Sequence, residues 1–425
     1  MNWRLLTAGL AKRVRVGWKN FSEAASPLAA RYGLLAVIVF ALPLLVFFSR
    51  QAAIEARRPI FFSDRPDFAA VSARSLPSEP GEDRRPIPAV VKGVYVSADT
   101  VGEKRRFNEI IKLVGETEIN ALVIDLKNYR SELAFTAERP ELRPFVAPQT
   151  PLGRLPELTE RLHEEGIYLI GRVPVFQDQT FSTRHPEYAV KKAGGGVWRD
   201  HRGLAWLDPA SKAVWKYAVA IAEEAAAAGF DEIQFDYIRF PSDGDLSTIV
   251  YDVYDGRTPK AEVMRGFFRY LDHELRLKHN IRISVDLFGL VMWQHQTDMN
   301  IGQRLDAALP SFDYISPMVY PSHYPAGFNG YANPALYPYE VVYKNLVRGQ
   351  EVPKKILADA AADAGAEVPK LATIRPWIQD FNMGAVYDAA KVRAQIKASM
   401  DGGASGWLLW NAANVYTAGA LEKGS

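Results

Sequence analysis

Residues 230–241, with the sequence FDEIQFDYIRFP, could supply a reacting group because polar and apolar residues alternate along them. Ile233 and Phe235 would face one side of a strand, whereas Gln234 and Asp236 would face the other. In a parallel (β/α) barrel, polar groups at the carboxyl end of a strand face the catalytic rim. Asp236 is therefore the first candidate for a reacting group.

Residues 281–288, with the sequence IRISVDLF, repeat this pattern and place Asp286 on the inward face. Glycosidic bond cleavage needs one acid that protonates the leaving oxygen and a second carboxylate that acts as nucleophile or base. Neighbouring barrel strands hold such groups about 5 Å apart for retention, or farther apart for inversion. We predict that Asp236 is the nucleophile, or stabilises the developing positive charge, and that Asp286 donates the proton. The alternative for Asp236 is an ion pair with Arg172 or Arg239 that only stabilises the rim.

Other strands add polar and aromatic side chains to the same end of the predicted barrel. On the second strand, Asp125 and Lys127 share the inward face, with the alternative that Asp125 only neutralises Lys127. The substrate-binding residues predicted from alternation and loop position are Asp125, Lys127, Arg172, Arg239, Tyr320, His323, Trp377, Gln379 and Trp410.

Aromatic residues cluster at strand ends and in the long loops. Flat apolar faces of sugars stack on such rings, whereas the alternative is that the rings fill gaps between barrel and helices. The residues in question are Trp198, Trp206, Trp293, Trp377, Trp407, Trp410, Tyr95, Tyr237, Tyr320 and Tyr324.

Eight apolar segments that alternate with amphipathic helices predict a (β/α)8 barrel, known as a TIM barrel, over residues 90–418. No glycine-rich phosphate loop follows the first strand, which argues against dinucleotide binding. Residues 177–210 and 321–350 are longer than ordinary βα loops, and we expect both over the barrel mouth. The predicted strands are 90–97, 121–127, 168–176, 232–240, 281–288, 314–320, 372–379 and 406–411.

The N-terminal part of the chain predicts a single-pass membrane anchor. Residues 32–49 carry no charge and are just long enough to span a bilayer as a helix. The preceding leader, residues 1–31, is basic, so it would stay in the cytoplasm and the barrel would lie on the extracytoplasmic side of the membrane. The alternatives are a cleaved secretory signal and a buried core helix. Residues 50–89, rich in proline, arginine and serine, are predicted to form an extended or disordered linker.

Composition limits the partners and cofactors. The formal net charge is +2, and no basic patch is interleaved with aromatic residues, so we predict no nucleic-acid partner. The chain has no cysteine, and its seven histidines are scattered, so we predict no metal and no cofactor. Residues 242–245, SDGD, offer oxygen ligands without matching an EF-hand loop, which leaves calcium as an alternative. Phosphoester hydrolysis would need a metal cluster.

Several segments together resemble the bacterial putative glycoside hydrolase domain family, relatives of α-amylase-like barrels: residues 93–96, 123–127, 172–178, 235–241, 317–323 and 375–379. The similarity covers about residues 90–418, and FDYIRFP at 235–241 is its most specific part. The resemblance implies that Asp236 is the nucleophile at the end of the fourth strand. In α-amylase-like and related retaining barrels the acid is commonly a Glu on the fifth strand, where this chain has Asp286. The alternative acids are Asp178 and Asp125. We also add Asp178 to the predicted substrate-binding residues.

Together these patterns predict a membrane-anchored, extracytoplasmic glycosidase that acts on a polysaccharide or oligosaccharide. Its other partner would be the lipid bilayer, reached through the N-terminal helix. The alternative is a barrel that binds glycans, or serves as a scaffold in the cell envelope, without catalysis.

Overall fold

The computed structural model describes residues 85–363 and 367–424. Parallel strands close into one barrel, because the first strand pairs with both the second and the last. The predicted eight-stranded (β/α)8 barrel is therefore confirmed. The barrel strands are Val91–Val96, Ala121–Asp125, Tyr168–Pro174, Glu232–Asp236, Ile283–Phe288, Tyr314–Met318, the seventh strand in two pieces at Thr373–Ile374 and Trp377–Gln379, and Gly406–Trp410.

Helices surround the barrel and cover the apolar outer faces of its strands. In the first long helix, Phe107, Ile110 and Val114 are buried, as their spacing of three and four residues requires. The helix after the fifth strand is short, and an additional helix follows the sixth. The helices are Ala98–Gly102, Lys104–Glu116, Leu155–Glu164, Gln179–Arg184, Lys212–Ala227, Lys260–Leu271 with its π-helical extension Asp272–Leu277, Leu305–Ala308, Pro338–Gly349, Glu351–Ala362 and Ala389–Asp401.

The seventh strand is interrupted at Arg375 and Pro376, where the sequence predicted one continuous strand. Proline has no backbone N–H, so the ladder of hydrogen bonds cannot continue through Pro376. The chain remains in place because the Arg375 N–H donates to the Ile315 carbonyl (2.8 Å) and the Leu408 N–H donates to the Pro376 carbonyl (2.9 Å).

The expected loop over residues 321–350 is only partly correct, because Pro338–Gly349 forms a helix that packs against Ala389–Asp401. The apolar face of this helix explains the difference, since Val341, Val342 and Leu346 are fully buried.

Residues 177–210 form an irregular segment held by a small antiparallel sheet. Lys191–Lys192 in this segment pairs with Ile249–Val250 in the loop after the fourth strand. A buried carboxylate organises the same segment, because Asp200 accepts hydrogen bonds from the backbone of Arg202 and Leu204 and from the side chains of Gln177 and Trp206.

The predicted leader, the membrane span at 32–49 and most of the linker lie outside the described residues. Within residues 85–363 and 367–424, no helix is both long and apolar enough to cross a membrane.

Candidate active site

The strand register brings Asp236 and Asp286 to the same height on neighbouring strands. Phe235 is paired with Val285, so the next residues along the two strands, Asp236 and Asp286, lie side by side on the inward face. Both carboxylates are buried at the carboxyl end of the barrel, with 6% and 1% of the residue exposed. The alternation in the sequence predicted this arrangement.

A single arginine binds both carboxylates and a third. The guanidinium of Arg172 forms ion pairs with Asp236, with Asp125 (2.5 Å from Nη1 to Oδ1) and with Asp286 (3.6 Å from Nε to Oδ2). Burial opposes the charge of Arg172, but the three carboxylates raise its pKa well above its usual value. Arg172 is therefore a permanent cation at the centre of an acidic cluster.

Asp286 binds its proton more tightly than an ordinary aspartate does. Burial, and after it the negative charge of Asp236, raises the pKa of Asp286 well above its usual range, against the opposing effect of Arg172. The Trp377 indole N–H donates to Asp286 Oδ1 at 2.7 Å and fixes the orientation of the carboxyl group. An acid that keeps its proton beside an ion-paired carboxylate is the arrangement that glycosidases use.

Asp125 completes the cluster. It accepts a hydrogen bond from the Tyr95 hydroxyl at 2.6 Å, and burial raises its pKa although Arg172 and Tyr95 act in the opposite direction. The Tyr95 ring stacks on Trp410 with 4.1 Å between ring centroids. Trp410 is partly exposed at the mouth, so its ring remains available to a sugar.

The backbone after Asp236 adopts an uncommon conformation. Tyr237 has a φ of 50°, in the left-handed region that residues other than glycine seldom occupy. Its N–H donates back to Asp236 Oδ1 at 2.5 Å. Conformations of this kind cluster at functional sites, where the surrounding structure holds them in place.

Lys127 and Asp178 form a second buried ion pair. Lys127 Nζ lies 2.7 Å from Asp178 Oδ2, and both side chains are almost completely buried. Asp178 also caps the helix Gln179–Arg184 by accepting from the Phe181 N–H at 2.7 Å. The alternative that Asp125 neutralises Lys127 is therefore wrong, because Asp178 is the partner of Lys127.

Arg239 lies beside the cluster but does not contact it. Its guanidinium lies over the rings of Trp206 and Phe288, at 4.7 Å from each centroid. The expected ion pair with Asp236 is absent among the described residues, so of the two arginines Arg172 alone makes that contact.

The residues predicted on the sixth and seventh strands form an aromatic corner of the mouth. The rings of Tyr320, His323 and Phe381 meet edge to face, with centroids 5.2–6.0 Å apart. Gln379 is fully buried and braces this corner, because it accepts from the Ser322 N–H and donates to the Phe381 carbonyl. Its amide is thus occupied by loop contacts.

Most of the aromatic residues named from the sequence fill gaps in the core. Trp198, Trp206, Trp377 and Trp407 have at most 2% of their surface exposed, so the packing alternative is correct for them. Among the aromatic residues named from the sequence, those that are partly exposed are Trp293, Tyr237 and Trp410.

The sequence did not reveal a second ionic layer below the site. Glu232 and Arg375, both fully buried, form an ion pair inside the barrel (2.5 Å from Oε1 to Nη2). The hydroxyl groups of Tyr168 and Ser284 also donate to Glu232. The alternation that puts Asp236 on the inward face also puts Glu232 there, but its pairing with Arg375 depends on the relative height of strands that are distant in sequence.

The fold is a (β/α)8 barrel that carries a buried acidic cluster at the carboxyl ends of its strands. The family model described as "Putative glycosyl hydrolase domain" matches residues 93–416. The chain belongs to this family, and the expected class of enzyme, a glycosidase, is confirmed at the level of the family.

Several solved structures are similar to this chain. The glycoside hydrolase domain of PgaB (BpsB) from Bordetella bronchiseptica matches with a TM-score of 0.55 and 14% identity, over 79% of this chain and 100% of that domain. A hypothetical protein from Ruminiclostridium thermocellum is 34% identical, with a TM-score of 0.40, over 45% of this chain and 96% of that protein. The α-galactosidase TtGalA from Thermus thermophilus matches at a TM-score of 0.45 with 12% identity, over 77% of this chain and 58% of that enzyme. No match was found among curated proteins.

Proposed function

We propose that this chain hydrolyses a polysaccharide with Asp236 as the nucleophile, or as the group that stabilises positive charge, and with Asp286 as the proton donor. The observation that carries the proposal is the contact of both carboxylates with the guanidinium of Arg172. Arg172 supplies a positive charge beside Asp236, and burial raises the pKa of Asp286 well above its usual range.

In the proposed reaction, Asp236 acts as a carboxylate and Asp286 acts as a carboxylic acid. Asp286 transfers its proton to the glycosidic oxygen as the bond to the anomeric carbon breaks, and positive charge develops on the sugar beside Asp236. In a retaining enzyme Asp236 forms a bond to that carbon, and water later displaces it, returning a proton to Asp286. In an inverting enzyme Asp236 instead accepts a proton from the attacking water.

Asp125 is the alternative proton donor. It is more exposed than Asp286, 9% against 1%, and burial raises its pKa as well. Asp178 is less suitable, because its carboxylate is fully buried and already bound to Lys127 and to a helix N-terminus. The variants Asp125→Asn and Asp286→Asn distinguish the two candidate donors. A substrate whose leaving group departs without protonation does not need the acid. We therefore expect it to restore turnover only to the variant that lacks the true proton donor. Loss of a positioned acid costs about 10²–10⁴-fold in rate.

The central experiment uses Asp236→Asn in the full-length chain. We expect wild-type protein to release reducing ends from at least one member of a polysaccharide panel and the variant to release none, while polysaccharide affinity persists. Asparagine keeps the size of the side chain, so the thermal unfolding midpoint reports whether the fold is intact. Turnover by the variant at a substantial fraction of the wild-type rate refutes the role of Asp236.

A glycan-binding barrel without catalysis is the second candidate. It is favoured by the depth of the cluster, since all three aspartate residues are buried and bound to Arg172. Binding of polysaccharide by wild-type protein without any release of reducing ends would support it.

We further propose that the barrel is tethered to the cytoplasmic membrane and acts on its extracytoplasmic side. The support is the uncharged segment at residues 32–49, preceded by a basic leader.

A further inference from the structure

Arg239 is a buried cation without a carboxylate partner. Only 8% of the residue is exposed, and no acidic side chain in the described parts of the chain lies within ion-pair distance of its guanidinium. An isolated charge in such a place is costly unless other groups compensate for lost water. Burial accordingly lowers the pKa of Arg239, although negative charges at longer range oppose this effect.

Aromatic rings and two oxygen atoms hold the guanidinium in one orientation. The rings of Trp206 and Phe288 lie 4.7 Å away, and that of Tyr237 lies 5.5 Å away. Nη1 donates to the Phe240 carbonyl (3.2 Å) and to Ser242 Oγ (2.8 Å). Nε and Nη2 have no hydrogen-bond partner among the described residues, and both atoms are accessible to solvent. One edge of a fixed guanidinium therefore remains free.

Arg239 as a whole lies near the two proposed reacting carboxylates. Arg239 follows Asp236 by three residues, and Phe288 follows Asp286 by two on the neighbouring strand. The negative charge of Asp236 acts on Arg239 at longer range. A group bound to Arg239 would thus sit on a sugar close to the bond that is cleaved.

Other charges near Arg239 leave its free edge available. Asp200 is buried and already accepts four hydrogen bonds, and Asp243 is exposed on the loop beyond Ser242. A second cation, Arg202, is close enough to lower the pKa of the Tyr237 phenol together with Arg239, although burial raises that pKa overall.

We propose that Arg239 binds the carboxylate of an acidic sugar, so that the substrate is a polysaccharide containing uronic acid residues. This inference rests on the proposed function and names the class of substrate. The Nε and Nη2 groups on one edge of a guanidinium match the two oxygens of a carboxylate, a geometry that lysine cannot reproduce. The surrounding rings would pack against the sugar that carries the carboxylate.

The test measures binding with the full-length Asp236→Asn variant, so that turnover does not interfere. The probes are alginate, polygalacturonate and hyaluronan, each in its native form and with its carboxylates chemically reduced to alcohols. We expect at least one native polymer to bind about tenfold more tightly than its reduced form, a difference that corresponds to about 1.4 kcal/mol.

Adding Arg239→Gln should remove this preference, and Arg239→Lys should restore only part of it. The matched control is Arg199→Gln, because Arg199 is an exposed arginine of the neighbouring segment whose guanidinium binds Gln179 and the Gly203 carbonyl. This control should leave the preference for acidic polymers unchanged.

Binding of none of the native acidic polymers, or equal binding of native and reduced forms, would overturn the inference. This comparison needs no change at Arg239, so it holds even if Arg239→Gln fails to fold. Equal weakening of both polymer forms by a folded Arg239→Gln variant would also overturn it. The glycosidase proposal would survive these results, since it depends on release of reducing ends and on Asp236.

Discussion

Asp286 combines nearly complete burial with a position beside another acid. Burial raises its pKa in the folded chain above the value of about 3.9 for an unfolded aspartate, so the folded state binds this proton more tightly than the unfolded state. The stabilisation from this proton is therefore complete below about pH 3.9 and is lost as pH rises towards the native pKa. The burial of Asp286 thus lowers the free energy of unfolding at neutral pH.

Asp286→Asn should relieve this cost. The asparagine amide oxygen can still accept from Trp377, and it carries no proton that titrates. We expect the variant and the wild type to have similar thermal unfolding midpoints near pH 3, and the variant to become relatively more stable as pH rises towards 7. A difference between the two midpoints that stays constant with pH would contradict the raised pKa.

At the scale of single residues, the sequence predicted which side chains face the barrel interior but not which of them bind each other. Neutralisation of Lys127 was one alternative for Asp125, whereas Asp125 binds Arg172 and Tyr95. Side-chain length and the relative height of neighbouring strands decide such pairings. The inward position of Phe288, which packs on Arg239, could have been predicted from the sequence. Phe288 follows Asp286 by two residues and therefore lies on the same face of the strand.

At the scale of secondary-structure elements, the barrel strands are joined through an ionic layer below the site. Glu232 on the fourth strand and Arg375 in the seventh are fully buried and paired with each other. This layer supports the strand that carries Asp236. The break at Pro376 was not predicted, although a proline within a strand is itself a signal that the strand cannot be continuous.

Arg375→Met should destabilise the fold, because it leaves the charge of Glu232 buried without its cation. Removal of one partner of a buried ion pair costs about 3–5 kcal/mol. The double variant Glu232→Gln with Arg375→Met should recover part of this loss, and urea unfolding of the three variants and the wild type gives each free energy. A double variant that is as unstable as the sum of the two single variants would show that the pair is not coupled.

At the scale of the whole molecule, alternating strands and helices were sufficient to predict the closed barrel. The long segment 321–350 was less predictable, because the buried face of Pro338–Gly349 is recognisable only when the helix is known to pack against Ala389–Asp401. Tertiary contacts thus determined the part of the fold that local patterns did not.

The proposed tether is tested on intact chains. We expect the full-length protein to remain with the membrane fraction after washing with salt and with carbonate, and a variant that lacks residues 1–49 to be released. Protease added outside spheroplasts should degrade the barrel of the full-length protein. Recovery of the full-length chain in the aqueous fraction would contradict the anchor, and protection from protease would contradict its orientation.

The last strand and the residues after it complete the mouth of the barrel. Asn414 and Tyr416 both donate to the carbonyl of Tyr95, the residue that binds Asp125, and Asn414 also accepts from the Ser97 N–H. During synthesis on the ribosome, the first strand must therefore wait for a segment made more than 300 residues later. Because the first strand also pairs with Gly406–Trp410, we expect the barrel and its mouth to close only after these last residues have been synthesised.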